Sequence, residues 1–294
     1  MKTTMSKQFL FLAAFGCIVA PVAAQTVDVT LQCGQTYTIN STAPATTGAG
    51  LTYRWLENGS VVAGTAATYT VPATKHAGSY TYIRQAQTAA CPDWQSSNAL
   101  TVAVVSHSDG ICISGLTWAK YNVDVPGSFT KSIGDPGKLY QFNRTKPWVP
   151  NPDLIYDLPS NTDMEWSVDS TVCPTGWRLP TIAEIQSLVK ATPLNADGSQ
   201  GYWSYGDPIA EGKNVVWIGP ISMPPVDQYR HMPFPLAPII WIDGTSNNDE
   251  PNIWSCCTND AGSERVIMRA RTSTRIIMAG WVPKTCTAYV RCVR

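Results

Sequence analysis

Eight cysteines behind an export signal constrain this chain more than any other feature of its sequence. Lys2 and Lys7 give a positive start, residues 9–20 are apolar, and Val22-Ala23-Ala24 places small residues before Gln25. Residues 1–24 are therefore expected to be a cleaved signal peptide. A spanning helix needs ~20 apolar residues, and Pro21 interrupts this run early. Cys17 is the alternative lipid-attachment site, but Ala14-Phe15-Gly16 fits such a signal poorly and the chain after it stays apolar. Cleavage removes Cys17 and leaves Cys33, Cys91, Cys112, Cys173, Cys256, Cys257, Cys286 and Cys292. An even number in an exported chain predicts up to four disulfides, whose connectivity spacing alone does not assign. No two cysteines have CxxC spacing and there are only 3 histidines, which argues against zinc.

Charge excludes several partners. Without Lys2 and Lys7 the chain has 19 basic and 21 acidic residues, with no basic stripe for nucleic acid and no polybasic segment for anionic lipid. Charged residues make up only 14% of the chain, against ~25% in typical domains. No later apolar run approaches the ~18 residues of a membrane span, so no integral membrane segment is expected after signal removal.

Residues 25–106 alternate with period two in Thr26-Val27-Asp28-Val29-Thr30-Leu31, Tyr37-Thr38-Ile39, Leu51-Thr52-Tyr53-Arg54-Trp55 and Tyr80-Thr81-Tyr82-Ile83. Turn residues punctuate these runs, and Asn58-Gly59 predicts a tight hairpin turn. The stretch His76-Ala77-Gly78-Ser79-Tyr80-Thr81-Tyr82 resembles the D-x-G-x-Y-x-C signature of immunoglobulin-like domains. The resemblance implies an all-β sandwich with Trp55 buried on the third strand and Tyr80 as tyrosine corner. His76 replaces the usual acid, and Tyr82 stands where the inter-sheet cysteine would be. Cys33 and Cys91 are expected to pair instead, a closure worth ~4 kcal/mol in the chain-entropy model.

Ser106-His107-Ser108-Asp109-Gly110 reads as a linker, with His107 solvated in it. Beyond it, one helix is expected from Thr181 to about Ala191: Thr181 and Glu184 form a capping box, and Ile182, Ile185, Leu188 and Val189 share an apolar face. Three blocks stand out in residues 107–294. They are Gly115-Leu116-Thr117-Trp118-Ala119-Lys120-Tyr121-Asn122-Val123 with Gly137-Lys138-Leu139-Tyr140-Gln141, then Cys173-Pro174-Thr175-Gly176-Trp177-Arg178-Leu179-Pro180-Thr181, and then Ile253-Trp254-Ser255 with Tyr289-Val290-Arg291-Cys292-Val293-Arg294. Their order resembles the Fibrobacter succinogenes major paralogous domain, a surface module of Bacteroidetes. The resemblance implies an α+β C-type-lectin-like fold with one main helix, short strands and long loops. It further implies a Cys173–Cys292 disulfide joining the helix to the last strand. Cys286 would then pair with Cys256 or Cys257 and Cys112 with the other, or the adjacent cysteines with each other.

Several residues invite a chemical reading. Glu250-Pro251-Asn252 resembles the triplet with which calcium-dependent lectins hold Ca²⁺ and sugar, and Asn247, Asn248, Asp249, Asn259 and Asp260 add oxygens. The Trp-Asn-Asp companion motif is missing, so a solvated polar loop is the preferred reading, with Glu250, Asn252 and Asp260 the weaker calcium alternative. The helix block also resembles formylglycine-generating enzymes, but Cys256 and Cys257 read as structural cystines without an acid–base partner. His231 reads as a loop residue, and the spacing of Asp163 and Glu165 carries no signal for paired-carboxylate catalysis. Aromatic side chains stack on sugars and anchor interfaces, and Trp217, Trp241 and Trp254 join Glu250 and Asn252 as candidate ligand contacts. The expected function is non-enzymatic binding at the cell surface, in adhesion or as a fimbrial-tip or surface-complex component. No cofactor is expected, and the partner is a glycan or a host or surface protein.

Overall fold

The computed structural model describes residues 28–40, 50–148, 172–191 and 286–294, together with the backbone of eight strands between residues 203 and 283. The expected signal peptide lies outside the described residues. In chain order the first strands are β1 (Asp28–Gln32), β2 (Tyr37–Ile39), β3 (Thr52–Glu57), β4 (Ser60–Val62), β5 (Tyr69–Val71), β6 (Gly78–Thr88), β7 (Cys91–Val105), β8 (Gly110–Ile113), β9 (Leu116–Ala119) and β10 (Tyr140–Gln141). Helix α1 (Ile182–Lys190) follows. Then come β11 (Trp203–Gly206), β12 (Asn214–Ile218), β13 (Met232–Pro235), β14 (Ile239–Ile240), β15 (Ser246–Asn247), β16 (Asn252–Thr258), β17 (Glu264–Arg271), β18 (Ile276–Pro283) and β19 (Thr287–Ala288). The backbone gathers into two compact units. One holds Thr38–Thr70 and Tyr80–Val102; the other holds Thr30–Tyr37, Val71–Ser79 and Ala103–Arg294.

In the first unit, β3, β4 and β6 lie in a five-stranded sheet of order β1-β7-β6-β3-β4. Asn58 and Gly59 adopt φ of 49° and 83°, and Glu57 pairs with Ser60 across them, so Asn58-Gly59 forms the expected two-residue turn. Asn58 Oδ1 accepts the Thr81 N–H at 2.9 Å, which ties the turn to β6. Alternation on β6 turns Tyr82, Arg84 and Ala86 inward. Where an inter-sheet cystine was conspicuously missing from the sequence, an aromatic stack fills the space. Trp55 is fully buried, and Tyr69 stands 5.6 Å from its ring and 5.4 Å from that of Tyr82. Trp55 Nε1 donates to Ala66 O at 3.0 Å, so its one polar atom is satisfied.

The second unit begins with the β8–β9 hairpin. Its turn is Ser114-Gly115, with φ of 52° and 77° between the paired Ile113 and Leu116. Gly115 has no room for a side chain, because a Cβ there would lie 2.2 Å from Ala73 O. The 71–79 segment is held to this hairpin by Ala77 N–H donating to Cys112 O at 3.2 Å. His76 Nδ1 also accepts the Ser114 N–H at 2.9 Å. The unit's core gathers Ala119, Val123, Tyr140, Phe142, Val172, Leu179, Ala288 and Val290 around the cysteines Cys173, Cys286 and Cys292. Thr181 caps α1 and shares a capping box with Glu184, as expected, while Ile185 and Leu188 are buried. The remaining sheets are β10-β19-β14-β15, β11-β12-β13 and β16-β17-β18.

Two expectations need correction here. The fold class of an immunoglobulin-like sandwich followed by an α+β C-type-lectin-like fold does not hold: the described residues are mostly β, in six sheets, with one helix of nine residues. Runs such as Val266-Ile267-Met268 and Ile276-Ile277-Met278-Ala279 are continuously apolar, and periodicity does not separate them from helix or loop. The Cys33–Cys91 pair is the second error. Cys33 bonds to Cys112, 79 residues on, because β8 brings Cys112 beside the 30–37 segment; Cys112 is thereby removed as a partner for Cys256 or Cys257. Cys91 is itself disulfide-bonded.

His76 gives the fold a testable pH dependence. Burial, and then the neighbouring Lys75, hold it below its ordinary value of 6.5. Its acceptor role toward Ser114 also requires the neutral ring. Above pH 6.5 the stabilisation is fully present; as pH falls the unfolded chain protonates first, and stability is lost down to the lower folded value. Thermal unfolding between about pH 7 and pH 5 is expected to lose more stability in the native chain than in His76→Gln, whose amide oxygen accepts the same bond without titrating. Equal losses in the two would count against this account.

Candidate functional site

Backbone pairing brings three separated stretches of the second unit together. Cys173–Cys292 is disulfide-bonded, with Cα atoms 6.0 Å apart. Arg178 and Val293 exchange backbone bonds at 2.9 and 2.8 Å, and Thr117 and Arg294 exchange theirs at 3.3 and 3.0 Å. Trp177 is set by a turn in which its N–H donates to Pro174 O at 2.9 Å, with Gly176 at φ 81°. The third stretch is the loop between β7 and β8. Gly110 N–H donates to His107 O at 3.1 Å, and Lys120 Nζ donates to Ser108 O at 2.8 Å. Gly110 is irreplaceable at this crossing, since a Cβ would lie 2.3 Å from Thr117 Cγ2 and 3.1 Å from Trp177 Cη2.

These stretches build a surface cluster of cations and aromatic rings. The Arg294 guanidinium lies over the Trp177 ring, 5.7 Å from its centroid. Phe129 meets Trp177 edge to face at 5.3 Å, and His107 does so at 6.2 Å. Arg294 Nη1 is 3.0 Å from His107 Nε2. On the far edge of that imidazole, Nδ1 accepts the Asp109 N–H at 3.2 Å, and the Asp109 carboxylate is 3.9 Å away. The side chains of His107 and Asp109 are 39% and 61% exposed, so the cluster is open to solvent. Ser108 Oγ lies 3.5 Å from Nδ1, too long for an activated nucleophile.

Comparison with known proteins adds little. The chain matches no known protein family and no curated protein. Among solved structures it has a likeness to a quinonprotein alcohol dehydrogenase-like protein from Bacteroides thetaiotaomicron VPI-5482, at 10% identity over 88% of this chain and 70% of that one. The TM-score is 0.23, and a likeness of that size carries no argument about fold or function.

The residues singled out in the sequence do not converge on this cluster. Glu250, Asp260 and Trp241 lie outside the described residues. Asn252 and Trp254 are on β16, at register positions opposite Arg269 and Ile267, and Trp217 is on β12 opposite Trp203 and Pro233. Cys256 and Cys257 are also on β16, whereas Cys286 is buried in the core. Among the described residues no group of histidine, cysteine or carboxylate side chains is arranged to hold a metal. Sequence reasoning passed over His107, Trp177 and Arg294. The available signal was that the two most specific blocks, around residues 173–181 and 289–294, each carry a cysteine and end near an aromatic or a cation.

Proposed function

We propose that this chain is an exported, non-enzymatic binding protein of the cell surface, acting in adhesion or as a fimbrial-tip or surface-complex component, and that it binds a glycan through the His107–Trp177–Arg294 cluster. The observation that carries the reading is an arginine held over a tryptophan at an open surface by strand pairing and a disulfide. Binding sites are commonly small polar constellations on a rigid scaffold. Export is supported by the N-terminal segment, by the disulfides Cys33–Cys112 and Cys173–Cys292, and by the finding that no helix among the described residues is long and apolar enough to cross a membrane. The stretches that resemble the Bacteroidetes surface module are those that supply Trp177 and Arg294.

A glycan suits this surface better than a protein partner does. Protein interfaces take Trp and Arg as anchors within a desolvated patch, and among the described residues Val61 and Val125 are the only large hydrophobics that are exposed. The test is a glycan and matrix-protein array probed with the purified chain and with Trp177→Ala. The expected result is glycan binding that the substitution reduces at least about tenfold, equivalent to ~1.4 kcal/mol. Binding confined to matrix proteins, or glycan binding indifferent to Trp177, would overturn the proposal.

A further inference from the structure

The geometry points to a carboxylate-bearing saccharide, a uronic or sialic acid, as the ligand class of this cluster. The inference rests on the glycan-binding reading above and adds the charge. Its basis is a mismatch of donors. His107 Nδ1 accepts the Asp109 N–H, so in that state the ring's proton sits on Nε2. Nε2 then faces Arg294 Nη1 at 3.0 Å, and a guanidinium only donates. Two N–H donors that close are satisfied together by one anionic oxygen placed between them. The opposite tautomer accepts from Arg294 but gives up the Asp109 N–H, so no neutral ring serves both contacts.

The electrostatic surroundings agree. Among the described residues no Asp or Glu side chain lies within ion-pair distance of Arg294. Lys120 adds a second cation beside the same loop, through its Nζ bond to Ser108 O. Among the described side chains the Asp109 carboxylate stands at the Nδ1 edge, on the other side of the ring from Arg294. A carboxylate bound at Nε2 thus meets the Nε2 proton and the Arg294 guanidinium together. The planar guanidinium, already oriented over Trp177, offers the forked geometry that a carboxylate matches with two oxygens.

The experiment is calorimetric titration of the full chain with matched pairs of probes: trigalacturonate against its carboxyl-reduced form, and sialyllactose against lactose. The expected result is at least about tenfold tighter binding of one acidic member than of its neutral match, weakening as salt is added. Arg294→Gln keeps donors but removes the charge, and is expected to abolish the preference while leaving the thermal midpoint in place, since the side chain is exposed. His107→Phe is expected to reduce it in the same direction. Equal affinity for acidic and neutral members overturns the carboxylate inference but leaves glycan binding standing. Retention of the preference in Arg294→Gln also overturns it. No binding of any of the four probes, together with a blank glycan array, removes the underlying reading as well.

Discussion

Replacing Arg291 by alanine is expected to cost the second unit roughly 3–5 kcal/mol, among the largest losses available to a single substitution in this chain. Arg291 has no exposed surface. Its Nε donates to Asn122 Oδ1 at 2.7 Å and its Nη1 to Ala119 O at 2.9 Å, while Asn122 Nδ2 donates onward to Pro136 O at 2.8 Å. One side chain thereby links the last stretch of the chain to the segment after β9 and to the loop before β10. Burial opposes the charge strongly enough to lower the guanidinium pKa to about 9, yet it remains protonated at neutral pH. Truncation leaves a buried amide oxygen and a buried carbonyl without this donor, and it opens a cavity. The two effects can be separated. Arg291→Met with Asn122→Leu removes the Nε–Oδ1 pair as a unit and keeps most of the volume, while Ala119 O and Pro136 O still lose their donors, so it is expected to recover part of the loss. Denaturant unfolding of the native chain, the single variant and the double variant reads this directly. A single variant within about 1 kcal/mol of the native chain would show that the network has little weight.

What the sequence disclosed, and what it concealed, follows from the range of the interactions. The α1 capping box and the Asn58-Gly59 turn are set by residues within three or four positions of one another, and both formed as read. The aromatic filling around Tyr82 could be anticipated only as an absence, since nothing local in Tyr69 announces that it will lie between Trp55 and Tyr82. The candidate site was harder still. Arg294 and His107 are 187 residues apart, and long-range bonds such as those of Thr117 with Arg294, Ala119 with Cys292 and Lys120 with the 108–109 loop bring them together. His107 was read as solvated because its surroundings in sequence are polar; in three dimensions those surroundings are Trp177 and Arg294. Cysteine pairing failed for the same reason. Cys33 and Cys91 are the cysteines that fall within one alternating stretch, but Cys112 lies one hairpin away in the unit that contains Cys33. The fold class failed on composition, because continuous apolar runs do not declare a period.

The Cys33–Cys112 and Cys173–Cys292 disulfides allow the chain-entropy account to be tested against packing. Cys33–Cys112 closes a separation of 79 residues and Cys173–Cys292 one of 119. Loop closure grows only logarithmically with length, so on entropy alone the two bridges should contribute within about 0.4 kcal/mol of each other, near 4–5 kcal/mol each. Their surroundings differ. Cys112 and Cys292 are both fully buried, but Cys292 is joined to Cys173, which is also buried in the core of the second unit, whereas Cys112 is joined to Cys33, which is only half-buried. The Cys173–Cys292 bridge also lies beside the Arg178–Val293 pairing that positions Trp177 and Arg294. Paired alanine substitution at 173 and 292 is therefore expected to cost about 1 kcal/mol or more beyond substitution at 33 and 112, because it removes two buried sulfurs rather than one along with the cross-link. It is also expected to weaken ligand binding, whereas the 33–112 variant keeps affinity near the native value. Denaturant midpoints of the two double variants, with glycan titration below their transitions, decide the matter. Equal stability losses would mean that chain entropy alone accounts for both bridges, and undiminished binding in the 173–292 variant would show that strand pairing holds the cluster without the disulfide.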